Sequence, residues 1–189
     1  MFQEEKRQLV HIFLFFGAFL LKYLERWQAM VLVLFLLIIS LFFLPKTKFR
    51  HHFYRSNENK YSKGAVLYFF VLLVILAIFP LPIAGAAWVI LALGDGLATL
   101  IGKNFKCREL PWNSHKTYIG SASFLVFGGF GAFVILKWLL PELSFEQAAW
   151  AGFRATLAAA FVESLPLKLN DNVSVPIVSA LVLVFLGIA

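Results

Sequence analysis

Three carboxylates stand where a carboxylate is expensive. Asp95 lies inside the apolar run Ile83–Ile101, Glu163 closes the run Ala148–Leu165, and Asp171 stands just ahead of Val173–Ala189. An ionisable side chain at membrane depth costs about 2.5–3.5 kcal/mol on insertion scales, so by default it faces a cavity, a partner or a metal. Thr99 lies one helical turn beyond Asp95 and can share its cavity. Gly94, Ala98 and Gly102 recur at i, i+4 and i+8, a stripe along which another helix or a ligand can approach closely. The competing reading of Asp95 is a structural ion pair with Lys103 or Arg7. For Asp171 and Asn172 it is helix capping alone.

The second chemical element is the loop "GKNFKCRELPWNSHKTYIGS", with Lys103, Lys106, Arg108 and Lys116 between two glycines, Gly102 and Gly120. Lys116-Thr117 precede a helix start, where free N–H groups and the positive end of the helix dipole favour an anion. A mobile lysine and the hydroxyls of Thr117 and Ser121 would complete a phosphate site. The loop is not a Walker A sequence, since Gly-x-x-x-x-Gly-Lys-Thr is absent. Taken alone, it also reads as a basic loop that sets topology and touches anionic lipid. Near the N-terminus, Arg7 and His11 lie i, i+4 on one helical face, from which either can reach a phosphate or a carboxylate. Glu163 ends the alanine-rich "ATLAAAFVE", Pro166 breaks that helix, and Asn170, Asp171 or Asn172 caps the last. Arg154 sits toward the opposite side, free to snorkel outward, and is left out of the site.

These groups need a frame, and composition supplies it. Of 189 residues, 61% are hydrophobic and 14% charged, and the mean hydropathy is +0.82. Too little polar surface remains to cover a soluble globule, so the expected fold is all-α, a polytopic membrane bundle of one domain spanning residues 1–189. Seven apolar runs are visible: Leu9–Leu24, Ala29–Leu44, Ala65–Phe79, Ile83–Ile101, Ile119–Leu140, Ala148–Leu165 and Val173–Ala189. The first has no small-residue cleavage site behind it and reads as a retained span. Residues 46–63 carry Lys46, Lys48, Arg50, Arg55, Lys60 and Lys63 against Glu58, so together with 102–118 two loops hold ten of the 17 basic residues. The positive-inside rule places both loops and the N-terminus in the cytoplasm and the C-terminus outside. Every polar cluster above then falls on the cytoplasmic side. The single cysteine, Cys107, excludes an intramolecular disulfide and a cysteine-rich metal site. With cations confined to short loops, no nucleic-acid partner is expected; membrane lipids are, and the oligomeric state stays open.

Five segments of the chain resemble one family. "EEKRQLVHI", "YSKGAVLYFF", "LGDGLATLIGKNF", "HKTYIGSASF" and "VESLPLKLNDNVSVPIVSALV" are similar to segments of the membrane-embedded, CTP-dependent lipid kinases: phytol kinase, dolichol kinase and CTP-dependent diacylglycerol kinase. The short loops look like the compact phytol-kinase type. His115 stands where the family pattern has Gly, and Asn170 where it has an acid. The resemblance implies transfer of the γ-phosphoryl of a nucleoside triphosphate, CTP, to the hydroxyl of a membrane lipid alcohol (phytol, polyprenol or dolichol, or diacylglycerol). It implies that Asp95 holds Mg²⁺, with Glu163 and Asp171 divided between metal and hydroxyl. Lys103, Arg108, Lys116, Thr117, Gly120, Ser121, Asn170, Asn172, Arg7 and His11 would surround the nucleotide. The expected setting is a prokaryotic cytoplasmic membrane with the site facing the cytoplasm. The main competitor is a CDP-diacylglycerol synthase-like cytidylyltransferase, but its later Lys-Asp and Gly-His-Gly-Gly signature is absent after Pro141. A small transporter would need polar residues along a full path, and the outer halves of most runs are apolar.

Overall fold

The computed structural model describes residues 2–48, 50, 54, 60–105, 107–167 and 169–188, with side chains from Glu5 onward. Arg55, Glu58 and Lys106, which entered the charge count, and Ala189, which ends the last run, lie outside the described residues. Seven helices are described: α1 Phe2–Phe13, α2 Arg26–Lys46, α3 Lys63–Ile78, α4 Leu81–Asn104, α5 Tyr118–Leu139, α6 Phe145–Ser164 and α7 Asp171–Phe185. Helices α2 to α7 follow the second to seventh apolar runs, and local chemistry sets the ends. Ser62, Thr117, Ser144 and Asn170 cap α3, α5, α6 and α7 with side-chain oxygens. Pro80 precedes α4, and Pro141 and Pro166 follow α5 and α6.

Among the described residues, α2, α4 and α5 are long and apolar enough to cross a membrane. Helices α3 and α7 are apolar but shorter, at 16 and 15 residues. The first run differs from the single span expected. Its helix begins well ahead of Leu9 and breaks at Leu14–Phe15 into the short turns Phe16–Phe19 and Leu20–Lys22. Gly17 in that break lies so close to Trp88 that an added Cβ would come within 2.7 Å of its ring.

Helix α4 is the axis of the molecule. Almost every side chain from Ile83 to Ala92 is buried, many of them alanine or glycine, so neighbours approach closely. Helices α1, α3, α5 and α7 pack around it, α6 packs between α5 and α7, and α2 packs on α3. Two segments widen to π-helical geometry where α4 and α5 face each other, Ile90–Asp95 and Phe124–Gly128. π-bulges of this kind recur where a helix presents a functional side chain. The basic loop 102–118 is not irregular. It contains a two-stranded antiparallel hairpin, β1 Glu109–Leu110 with β2 Asn113–Thr117, in register Glu109 to Thr117 and Leu110 to Asn113.

Candidate functional site

The π-helical turn ends on Asp95, and the glycines on either side admit a helix each. A Cβ on Gly94 would press on the Phe124 ring of α5 at 3.2 Å, and one on Gly96 would strike Ile12 of α1 at 2.6 Å. Asp95 is thus held between α1 and α5, 8% exposed. The α1 contact brings His11 to the same place. Its Nε2 lies 3.2 Å from the Leu91 carbonyl and 3.8 Å from the Asp95 carboxylate, and its ring meets that of Tyr68 edge-on. Tyr68 accepts a 2.8 Å hydrogen bond from Trp88 Nε1.

About two turns further along, α4 crosses the start of α5 at Gly102 and Gly120. A Cβ on Gly102 would lie 2.9 Å from Thr117 Oγ1, and one on Gly120 would lie 3.1 Å from the Ala98 carbonyl. This crossing fixes where the hairpin leaves α4. Its return is fixed by Asn113, whose Nδ2 donates to the Ser164 and Leu165 carbonyls at the end of α6. A helix end leaves such carbonyls short of intrahelical partners, and the Leu165 carbonyl also accepts from the Leu167 N–H. Strand β2 therefore runs beside the end of α6 and delivers Lys116 between two carboxylates. Lys116 Nζ donates to Glu163 Oε1 and, at 2.9 Å, to Asp171 Oδ2. Burial opposes the lysine charge, but Glu163 first, then Asp95 and Asp171, outweigh it. The pKa of Lys116 is raised above the ordinary lysine value, and the side chain is a cation.

Asp95, Glu163 and Asp171 each turn one carboxylate oxygen into a cluster whose members lie within 4.8 Å of one another. With Glu163 only 4% exposed, three carboxyl groups face one lysine in a partly dry setting. Such a set of hard oxygen donors with excess negative charge has the chemistry that a divalent cation accepts. The cluster sits at one end of a cavity of about 780 Å³. Thr99, Lys103, Thr117, Gly120, Ser121, Asn170 and Asn172 border the same end, and Arg7 and His11 reach it from α1. The hydroxyl of Ser121 is buried there without a hydrogen-bond partner among the described residues.

The sequence-predicted residues therefore converge from four segments, with one exception. Arg108 does not line the cavity. It is exposed at the outer side of the hairpin, and its carbonyl accepts from the Tyr118 N–H. The free helix start expected at Thr117 is also mostly used: Thr117 Oγ1 accepts from Gly120 N, and Tyr118 N is held by Arg108. Asn170 caps α7 through Asn172 N, and Asn172 Nδ2 ties α7 to the Gly64 carbonyl of α3. Gly96, Asn113, Tyr68 and the α2 residues of the cavity went unnoticed in the sequence. For Gly96 a signal existed in the repeated glycine of Gly94-Asp95-Gly96; for Asn113 and α2 none did, because their role depends on tertiary position.

The chain is similar to plant enzymes named for prenyl-alcohol phosphorylation. A probable chloroplastic phytol kinase of Triticum aestivum is 33% identical over 135 residues, which are 67% of this chain and 45% of that protein. Chloroplastic phytol kinase 1 of Arabidopsis thaliana is 27% identical over 198 residues, 95% of this chain and 65% of its own length. Chloroplastic farnesol kinase of Arabidopsis thaliana is 33% identical over 106 residues, 53% and 34%. The chain thus spans about half the length of the curated relatives it matches. No family model matches the chain. No solved structure matches it either. The resemblance to the membrane lipid-alcohol kinases holds, and the chain is homologous to them. The relatives' chloroplast setting gives no support to a prokaryotic cytoplasmic membrane.

Proposed function

We propose that this homologue of the phytol and farnesol kinases is a multi-pass membrane kinase that phosphorylates a long-chain prenyl alcohol. The observation that carries the reading is the meeting of three carboxylates and Lys116 in a cavity that is also lined by the apolar side chains Val10, Leu14, Leu36, Ile39, Leu44 and Phe69. A water-soluble phosphoryl donor and a lipid hydroxyl must meet at such a boundary. The donor is CTP, as the motif resemblance implies. The single domain covers residues 1–189, with the chain crossing the bilayer along seven runs and the basic loops on the N-terminal side.

Phosphoryl transfer is mainly positioning and charge neutralisation. Lys116 is poised to exchange a carboxylate for a phosphate oxygen. Lys103 and Arg7, at the rim, add positive charge, and Thr117 and Ser121 offer hydroxyls. Asp95, Glu163 and Asp171 are the residues that would hold Mg²⁺, which supplies charge neutralisation of the triphosphate when bound. The alcohol oxygen forms a bond to the γ-phosphorus, the bond from that phosphorus to the β,γ-bridging oxygen breaks, and CDP leaves. A carboxylate of the cluster, Glu163 or Asp171, takes the hydroxyl proton.

The test uses purified protein in detergent with Mg²⁺ and γ-labelled CTP or ATP, offering farnesol, phytol, a polyprenol and diacylglycerol. Labelled prenyl phosphate made from CTP, and reduced at least about 100-fold by Asp95→Asn, is the expected result. Pyrophosphate released with phosphatidic acid as co-substrate would replace the reading with a cytidylyltransferase. Label from ATP alone would remove CTP as donor.

A further inference from the structure

The cavity extends well past the charged cluster, and its far part belongs to helices that carry no charge there. Val10 and Leu14 of α1 form one side, and Leu36, Ile39 and Leu44 of α2 form the other. Phe69 of α3 also lines the cavity, next to Tyr68, which reaches the cluster through His11. Ser40, a polar residue on this wall, turns its hydroxyl inward to the Leu37 carbonyl, so the lining offers it no free donor. Helix α1 packs on α4 and helix α2 packs on α3, so the space between α1 and α2 is a seam. Exposed apolar side chains flank it on both helices, Leu9 and Phe13 on α1 and Phe35 and Phe43 on α2.

We infer that the seam between α1 and α2 is the binding track for the hydrocarbon chain of the substrate alcohol, and that Leu36 and Leu14 at its deep end set the chain length the site accepts. The inference rests on the kinase reading above. Its occupant is argued from continuity: the same cavity that ends on the carboxylates runs between these two walls, so a hydroxyl at the cluster obliges the attached chain to follow them. From Leu44 to Leu36 is eight residues along α2, a rise of about 12 Å. A short alcohol fits within that length. A longer one must pass Leu36 and leave between the exposed aromatic side chains into lipid.

Leu36→Trp and Leu14→Trp each fill the deep end from an opposite wall, so a folding failure in one leaves the other informative. Phosphorylation of a ten-carbon and a twenty-carbon prenyl alcohol is compared at fixed CTP. The expected result is a loss of at least about tenfold in kcat/KM for the longer alcohol, with the shorter one and the KM for CTP changed less than about twofold. Equal loss for both lengths, or no loss for either, overturns the inference. A binding experiment independent of turnover separates this from the kinase reading. A prenyl alcohol bearing a diazirine at its tail is photolysed on the wild-type protein without nucleotide, and the labelled peptide is identified. Label on the α1 or α2 wall, competed by unmodified alcohol, supports the track even where no phosphate is transferred. Label elsewhere, or label that unmodified alcohol does not displace because a bilayer lipid holds the seam, sinks it.

Discussion

Replacing Lys116 by methionine removes a cation that bonds both Glu163 and Asp171 and leaves Glu163 buried beside like charges. Breaking a buried pair from one side costs about 3–5 kcal/mol. A fall of that order in unfolding free energy in detergent is expected, together with loss of the proposed transfer. The pH dependence has a definite sign. The fold raises the Lys116 pKa above 10.5, so its contribution is complete below that value and fades as pH climbs through the folded-state pKa. The Lys116 share of the stability gap between wild type and Lys116→Met should be lost only in strong alkali, as pH rises past 10.5. A gap that narrows near neutrality would mean that another group controls it. Asp95, Glu163, Asp171 and Lys116 were legible in the sequence because charge inside an apolar run is costly and so marks itself. Arg108 was misplaced for the complementary reason: a cation in a loop costs nothing, and loop position says little about where its side chain goes.

At the scale of elements, the site depends on two close crossings and one tie. Gly96→Ala forces a methyl into Ile12, and Gly102→Ala forces one into Thr117 Oγ1. Each should destabilise by about 1–3 kcal/mol, as overpacking does, measured by thermal or denaturant unfolding in detergent. Gly129 has open space around its Cβ position, so Gly129→Ala serves as the matched control and should be neutral or slightly stabilising. Asn113→Ala tests the tie. It strips donors from the end of α6 at about 1–2 kcal/mol and loosens β2, so the KM for nucleotide should rise more than that for the alcohol. Periodic apolar runs and prolines made the helices readable, and the capping residues made their starts readable. The hairpin was hidden because β1 is two residues long and β2 is tied through Asn113 to the end of α6, a contact no local propensity announces. The interruption of the first run at Leu14–Phe15 was hidden because only packing against Trp88 distinguishes it from a continuous helix.

For the whole molecule, sidedness is open to direct measurement, because the sole cysteine, Cys107, is exposed in the loop that carries the hairpin. With the basic loops on the nucleotide side, a membrane-impermeant maleimide should label Cys107 from the face at which CTP is consumed and not from the other. Labelling from the opposite face only would reverse the proposed orientation. The route of the chain through the bundle also bears on biosynthesis. Lys116 meets its partners 47 and 55 residues later in the chain, on α6 and α7, which emerge from a ribosome after the hairpin. Until α6 and α7 have inserted, the carboxylate of Asp95 stands without the other two acids, and no truncated intermediate carries the complete cluster. The cluster can therefore come into being only once α7 has joined the bundle, so a chain stopped short of Asp171 would lack the proposed kinase centre.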